Sequence, residues 1–311
     1  NYAQQIYEIK RVKRNNPDSC LPFYSVDPRA GSNRENAAAA RDHIVNKGFA
    51  GIKIYPALGF YPFHKNLQST YKFAKDNNVP IMTHCTRVGS YYLGELTPEM
   101  KHPKNNFCKP PQRWPDEFPE VEFPINKDLD DNAAFCDNFS YPYNYAWVLD
   151  HETKRKRGNK IIPEKYDTLK ICFAHAGDDT EIIKGREVKD KTRNDPKTLK
   201  RIEEYNSSWF THIKYLIKTY DNVYTDISFT LSENKIFGDL YEFISDPDYS
   251  NRILFGTDFY MTMMKKKEKP LVEDFRKFLF SKKDGPELWR AITYDNPREY
   301  LTSKFYTPPD N

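Results

Sequence analysis

Three short apolar stretches of this 311-residue chain end in side chains that can bind a metal or move a proton. "VPIMTHC" (79–85) ends with His84, "LKICFAHAG" (169–177) with His175 and "RILFGTDF" (252–259) with Asp258. Each reads as a buried strand. Alternation pairs Met82 with His84, Phe173 with His175 and Gly256 with Asp258 on shared faces. Burying two imidazoles and a carboxylate without partners costs about 1–3 kcal/mol for each group. A divalent cation removes that cost. Neutral imidazole and carboxylate are donors that zinc takes in catalytic sites, with a position left for water. Any one of the three alone reads as a satisfied structural residue; at equivalent ends of three strands they read as a converging site.

Other residues carry two readings each. Lys53 and Tyr55 share a face of "GIKIYP" (51–56) and reach substrate, or Lys53 pairs with a carboxylate and stabilises the core. Arg87 suits a substrate carboxylate through a bidentate contact, or makes a surface salt bridge. Asp226 orients a metal-bound histidine from behind or caps the following turn. Trp114, Phe118 and Phe123 line a pocket or pack their loop. His43, His64, His102, His151 and His212 fall in helices or loops and read as surface or packing residues.

The elements that position these groups repeat one pattern. Near-continuous apolar runs at 20–28, 49–56, 79–85, 169–177, 222–229 and 252–259 read as parallel strands buried on both faces. Helical patterns lie between them, at 33–47, 66–77, 141–156, 197–220, 234–245, 271–281, 286–293 and 297–302, after an opening helix at 2–14. Ser32 and Glu35 have capping-box spacing, and Gly48 ends that helix. This β-α order predicts an α/β fold with a parallel sheet. No Gly-rich phosphate turn or Walker sequence is present, so the expected fold is a (β/α)8 TIM-type barrel whose first two βα units are absent from this chain. Residues 1–311 read as one domain. Long polar or proline-rich loops are expected at 94–140 and 178–196, on the face where barrels build their sites.

Composition narrows the classes. No apolar run approaches the roughly 18 residues of a membrane span. A net charge of +4 and short basic runs such as "KRKRGNK" (154–160) give no nucleic-acid face. Five cysteines without a CxxC read as reduced thiols, hence a cytoplasmic protein. The chain begins at Asn1 and its first methionine is Met82, so the true N-terminus is expected upstream.

The motifs "LPFYSVDPR", "GIKIYPALGF", "VPIMTHC", "KICFAHAGDD", "NVYTDIS", "ILFGTDF" and "NPREYL" span residues 20 to 301. Together they resemble the amidohydrolase superfamily, in the branch of aminocarboxymuconate-semialdehyde decarboxylase, resorcylate-type decarboxylases and muconolactone-type hydrolases. The resemblance implies that the six strands are barrel strands three to eight. It makes His84 a metal ligand, and Asp258 a ligand that also takes a proton from metal-bound water. His175 becomes a general acid/base or a second ligand, and Lys53 a carbamylated bridge in two-metal members. It implies one or two divalent ions, zinc foremost. The family's first-strand His-x-His pair does not occur in this sequence; it is expected upstream, or this protein lacks it. The expected activity is metal-dependent hydrolysis of an ester, lactone or amide of a small carboxylated or aromatic substrate. Non-oxidative decarboxylation and a non-catalytic relative are the alternatives. The expected partner is a small molecule, and a homo-oligomer is compatible with this reading.

Overall fold

The computed structural model describes residues 2–101, 131–157, 160–194 and 208–309. Among these residues the strands are β1 Phe23–Ser25, β2 Gly51–Ile54, β3 Ile81–Thr83, β4 Glu152–Arg157, β5 Lys160–Lys165, β6 Ile171–Phe173, β7 Val223–Asp226 and β8 Ile253–Leu254. Six of them pair in parallel in the order β1-β2-β3-β6-β7-β8. Helices link successive strands, as a parallel sheet requires. The result is an α/β sheet corresponding to six strands of a (β/α)8 barrel.

The register sorts the side chains into two faces. Tyr24, Ile52, Ile81, Ile171 and Val223 lie in one row across the sheet. The four aliphatic members are fully buried in the main core, against the helices. Ser25, Lys53, Met82, Cys172 and Tyr224 form the adjacent row, on the opposite face. That inner face has its own small cluster, in which Cys172, Tyr224, Leu254 and Tyr300 pack with Phe23, Met82 and Leu301.

Local chemistry sets several helix ends. In the helix Asn33–Lys47, Glu35 N–H donates to Ser32 Oγ and Ser32 N–H donates to Glu35. Gly48 closes that helix at φ 70°, which glycine adopts without a Cβ clash. The helix Trp209–Thr219 starts at Ser208, whose hydroxyl accepts from Thr211 N–H, and buries Trp209, Ile213, Leu216 and Ile217.

Several expectations need correction. Where a loop is expected at 178–196, Asp179–Asn194 is a helix, started by Asp178, which accepts from the N–H groups of Thr180 and Glu181. Its sequence is polar nearly all round, so the apolar stripe that reveals most helices is missing. The helix expected at 141–156 covers only Asn144–Leu149, and β4 and β5 follow as an antiparallel hairpin. "ETKRKR" has no apolar alternation to announce a strand. The loop expected at 94–140 contains the helices Pro98–Lys101 and Asn132–Ser140. Residues 102–130, with Trp114, Phe118, Phe123 and His102, lie outside the described residues, as do 195–207 at the start of the helix expected over 197–220.

The C-terminal segment closes the end of the sheet away from the strand tips. Tyr300 donates to the Ile81 carbonyl at 2.9 Å, at the start of β3, and its ring stacks with Phe23. Lys170, just before β6, donates to the carbonyls of Glu299 and Thr302 at 3.0 and 2.8 Å. Tyr300 is therefore both the seal of the inner face and a link between sheet and helix. Tyr300→Ala is expected to lower stability by about 3–5 kcal/mol, and Tyr300→Phe by only about 1 kcal/mol. Urea unfolding of the two variants measures this; equal losses would show that the hydroxyl, not the ring, carries the contact.

Candidate active site

The C-terminal strand ends open into a cavity of about 810 Å³. Lys53, Tyr55, His84, His175, Asp226, Ser228 and Asp258 line it, with apolar walls from Phe23, Met82, Leu254, Phe255, Met261 and Met264.

His84 follows β3 and points inward with Met82, as alternation predicts. Its ring stacks on Tyr55, with centroids 4.2 Å apart. Its Nε2 lies 2.9 Å from the Val88 carbonyl. A carbonyl only accepts, so Nε2 carries the hydrogen and Nδ1 keeps a lone pair. The loop doubles back through Gly89 at φ 118°, where an added Cβ would lie 2.7 Å from Tyr55 Oη. Burial, then the neighbouring His175 and Lys53, push the His84 pKa down to about 3. The ring is neutral at neutral pH.

His175 reaches the cavity by a different route from the one alternation suggests. It shares parity with Phe173, and Phe173 faces the helices, fully buried against Tyr145. Continued as a strand, the chain would send His175 outward. Instead it turns left-handed at His175, Ala176, Gly177 and Asp178, with φ of 73°, 49°, 84° and 91°. The turn swings the imidazole inward, to an edge-on approach with His84 at 5.3 Å. Three of these four residues are not glycine, so the turn is strained, and the surroundings hold it there. Asp226 Oδ1 accepts from His175 N–H at 3.0 Å, and Thr86 Oγ1 donates to Asp178 at 2.7 Å. Asp226 also accepts Ser228 N–H in the turn after β7, which is the capping reading, and its direct contact with His175 is to the backbone N–H and not to the ring. Ser228, which also contacts the His175 ring, was not singled out from the sequence. Its signal is the "DIS" spacing, which returns a hydroxyl to the aspartate two residues before it.

Lys53 projects from the inner row of β2. Among the described residues its ammonium has no hydrogen bond or ion pair, so the expected carboxylate partner is not in contact. Burial lowers its pKa, against the attraction of Asp226, Cys172 and Asp258. Asp258 sits at φ 51°, just before the short helix Phe259–Thr262. Its carboxylate likewise has no hydrogen bond or ion pair among the described residues. Arg87 does not line the cavity. Its guanidinium is held by Asp137 and by the buried Glu181, and lies over the Trp209 ring at 4.5 Å. The salt-bridge reading of Arg87 describes this placement.

Among the described residues, no three His, Cys, Asp or Glu side chains are close enough together to hold a metal ion. His84, His175 and Asp258 share the cavity, but as placed they do not fit a zinc ion on their own. Each imidazole keeps one ring nitrogen without a hydrogen bond, as a metal-bound histidine does, but among the described residues the three side chains do not meet at one point.

A parallel α/β sheet with ionisable groups gathered at its C-terminal strand ends defines a barrel enzyme with its site on that face. The amidohydrolase family profile matches residues 14–302, and this chain belongs to that family. Members generally use divalent metals. A TIM-barrel protein of Bordetella bronchiseptica is similar in structure, with a TM-score of 0.52 and 13% identity over 95% of this chain and 71% of that one. A 2,6-dihydroxybenzoate decarboxylase from Rhizobium is similar to the same degree, with a TM-score of 0.52 and 12% identity over 96% of this chain and 76% of that one. A structure of 2,6-dihydroxybenzoate decarboxylase complexed with 2,6-dihydroxybenzoate gives a TM-score of 0.51 at 12% identity. At these identities the likeness is one of fold. No curated protein matches the chain by sequence. Among the described residues no helix is long and apolar enough to cross a membrane.

The neutral state of His84 has a measurable consequence. The unfolded ring titrates at its ordinary value of 6.5 and the folded one at about 3. Between those values only the unfolded chain takes the proton, so stability is lost as pH falls through the window. This group alone is expected to contribute a slope of about 1.4 kcal/mol per pH unit. His84→Gln is expected to remove that contribution. Urea midpoints of both proteins between pH 7 and 4 test it; parallel curves would show that the folded ring protonates normally.

Proposed function

We propose that this amidohydrolase-family enzyme hydrolyses an ester, lactone or amide bond in a small substrate that carries a carboxylate on an apolar or aromatic body. The observation that carries the reading is Lys53, with no contacting counter-ion among the described residues, in a cavity with apolar walls that also holds His175 and Asp258. A substrate carboxylate pairs with Lys53, and the apolar walls take the ring or chain. The free Asp258 carboxylate accepts a hydrogen bond from the attacking water and aims it at the carbonyl carbon. His175 takes the water's proton as the new carbon–oxygen bond forms. It returns that proton to the leaving oxygen or nitrogen as the old bond breaks. Zinc matches these donor types, but its remaining ligands would have to come from outside this set. The reading places the enzyme in the cytoplasm, supported by the free thiols of Cys20, Cys85, Cys136 and Cys172.

A second reading is decarboxylation of a carboxylated phenol. The molecule bound in the decarboxylase complex, 2,6-dihydroxybenzoate, is small, aromatic and carboxylated, which this cavity suits. There the carbon–carbon bond breaks, carbon dioxide leaves, and the ring carbon takes a proton.

A panel of carboxylated aryl esters, lactones and amides, with carboxylated phenols beside them, separates the readings. Hydrolysis is expected, with kcat falling about a hundredfold or more in His175→Asn and KM rising about tenfold or more in Lys53→Met. Carbon dioxide release from the phenols without hydrolysis would overturn the first reading in favour of the second. Saturable binding of panel members with no turnover of any would overturn both in favour of a non-catalytic relative.

A further inference from the structure

Ser228 stands between Asp226 and His175. Its hydroxyl donates to Asp226 Oδ1 in a short hydrogen bond, and its oxygen lies 2.9 Å from His175 Nδ1. A hydroxyl has one hydrogen to give. Asp226 Oδ1 is an acceptor here, because the backbone N–H groups of His175 and Ser228 also point at it, each at 3.0 Å. The Ser228 hydrogen is therefore spent on Asp226. Only lone pairs of the Ser228 oxygen remain to face the ring, so a hydrogen bond to Nδ1 exists only when Nδ1 carries the hydrogen.

For a neutral imidazole in water the Nε2–H tautomer is the commoner one. The Asp226–Ser228 pair inverts that preference. We propose that Ser228 is a positioning residue that holds the neutral His175 ring in its Nδ1–H tautomer, so that Nε2 offers a lone pair. Nε2 makes no hydrogen bond among the described residues, and the ring lines the cavity. A base that is to take a proton from water needs its lone pair on that side. One acceptor atom thus fixes both halves of His175: Asp226 Oδ1 holds the backbone turn directly and the ring nitrogen through Ser228. The neighbouring strand end leaves room for the relay. A Cβ on Gly256 would lie 2.9 Å from Ser228 Cβ, closer than real Cβ contacts come.

The catalytic meaning of this tautomer rests on His175 being the proton carrier of the proposed reaction; the tautomer itself does not, so the two can fail separately. The test is a two-bond proton–nitrogen correlation spectrum of the whole chain with 15N-labelled histidine, at a pH where the rings are neutral. His175→Gln assigns the signal. The wild-type protein is expected to show the Nδ1–H pattern at His175. Ser228→Ala is expected to move it to the Nε2–H pattern, and Ser228→Thr to keep it. With a turned-over substrate, Ser228→Ala is expected to lower kcat about tenfold to a hundredfold with KM little changed, and Ser228→Thr to restore most of it. An Nε2–H pattern in the wild-type protein would overturn the inference whether or not any variant folds. So would an Nδ1–H pattern that persists in Ser228→Ala. The expected tautomer shift in a protein that turns nothing over would support the role of Ser228 and sink the catalytic reading alone.

Discussion

Asp226 Oδ1 receives three hydrogens, from the N–H of His175, the N–H of Ser228 and the hydroxyl of Ser228. The position of the site follows from this atom. Asp226 lies in β7, where backbone hydrogen bonding to β6 and β8 fixes its place. From there it holds the left-handed turn after β6, and without that turn the chain would carry His175 toward the helices. A buried carboxylate that accepts several hydrogen bonds is satisfied within the protein. It is consequently a support, while the less committed carboxylate of Asp258 is left to act on a substrate.

The inner face of the sheet is divided by polarity. Toward the strand starts, Tyr300, Phe23 and Leu301 make an apolar floor. Above it lie Lys53, His84, His175 and Asp258, facing a cavity. A lysine held in such surroundings without a contacting counter-ion is costly, and a substrate anion relieves the cost. The same burial keeps His84 neutral. The apolar floor and the ionisable mouth are thus two parts of one arrangement: the floor excludes water, and exclusion strengthens each charge interaction above it.

Much of this was legible in the residues. The apolar runs around Tyr24, Ile52, Ile81, Ile171, Val223 and Ile253 marked the six parallel strands, because strands buried on both faces need continuous apolar sequence. The capping box at Ser32 and Glu35 marked its helix because that signal is local. The helix Asp179–Asn194 and the β4–β5 hairpin were not legible, since highly charged segments carry no burial pattern. Arg87 could be named as a candidate, but its distant partners Asp137 and Glu181 could not.

The sequence by itself determined the parallel α/β order and the chemical types at the strand ends, His84, His175 and Asp258. These depend on residue identity and short-range periodicity. The direction in which those groups point was decided by tertiary structure. Met82 and His84 kept the parity of their strand and faced inward. His175 had the wrong parity and came inward only because Asp226, 51 residues later, accepts its backbone N–H. Whether three donors meet at one point depends on such long-range contacts, and a strand pattern carries no information about them.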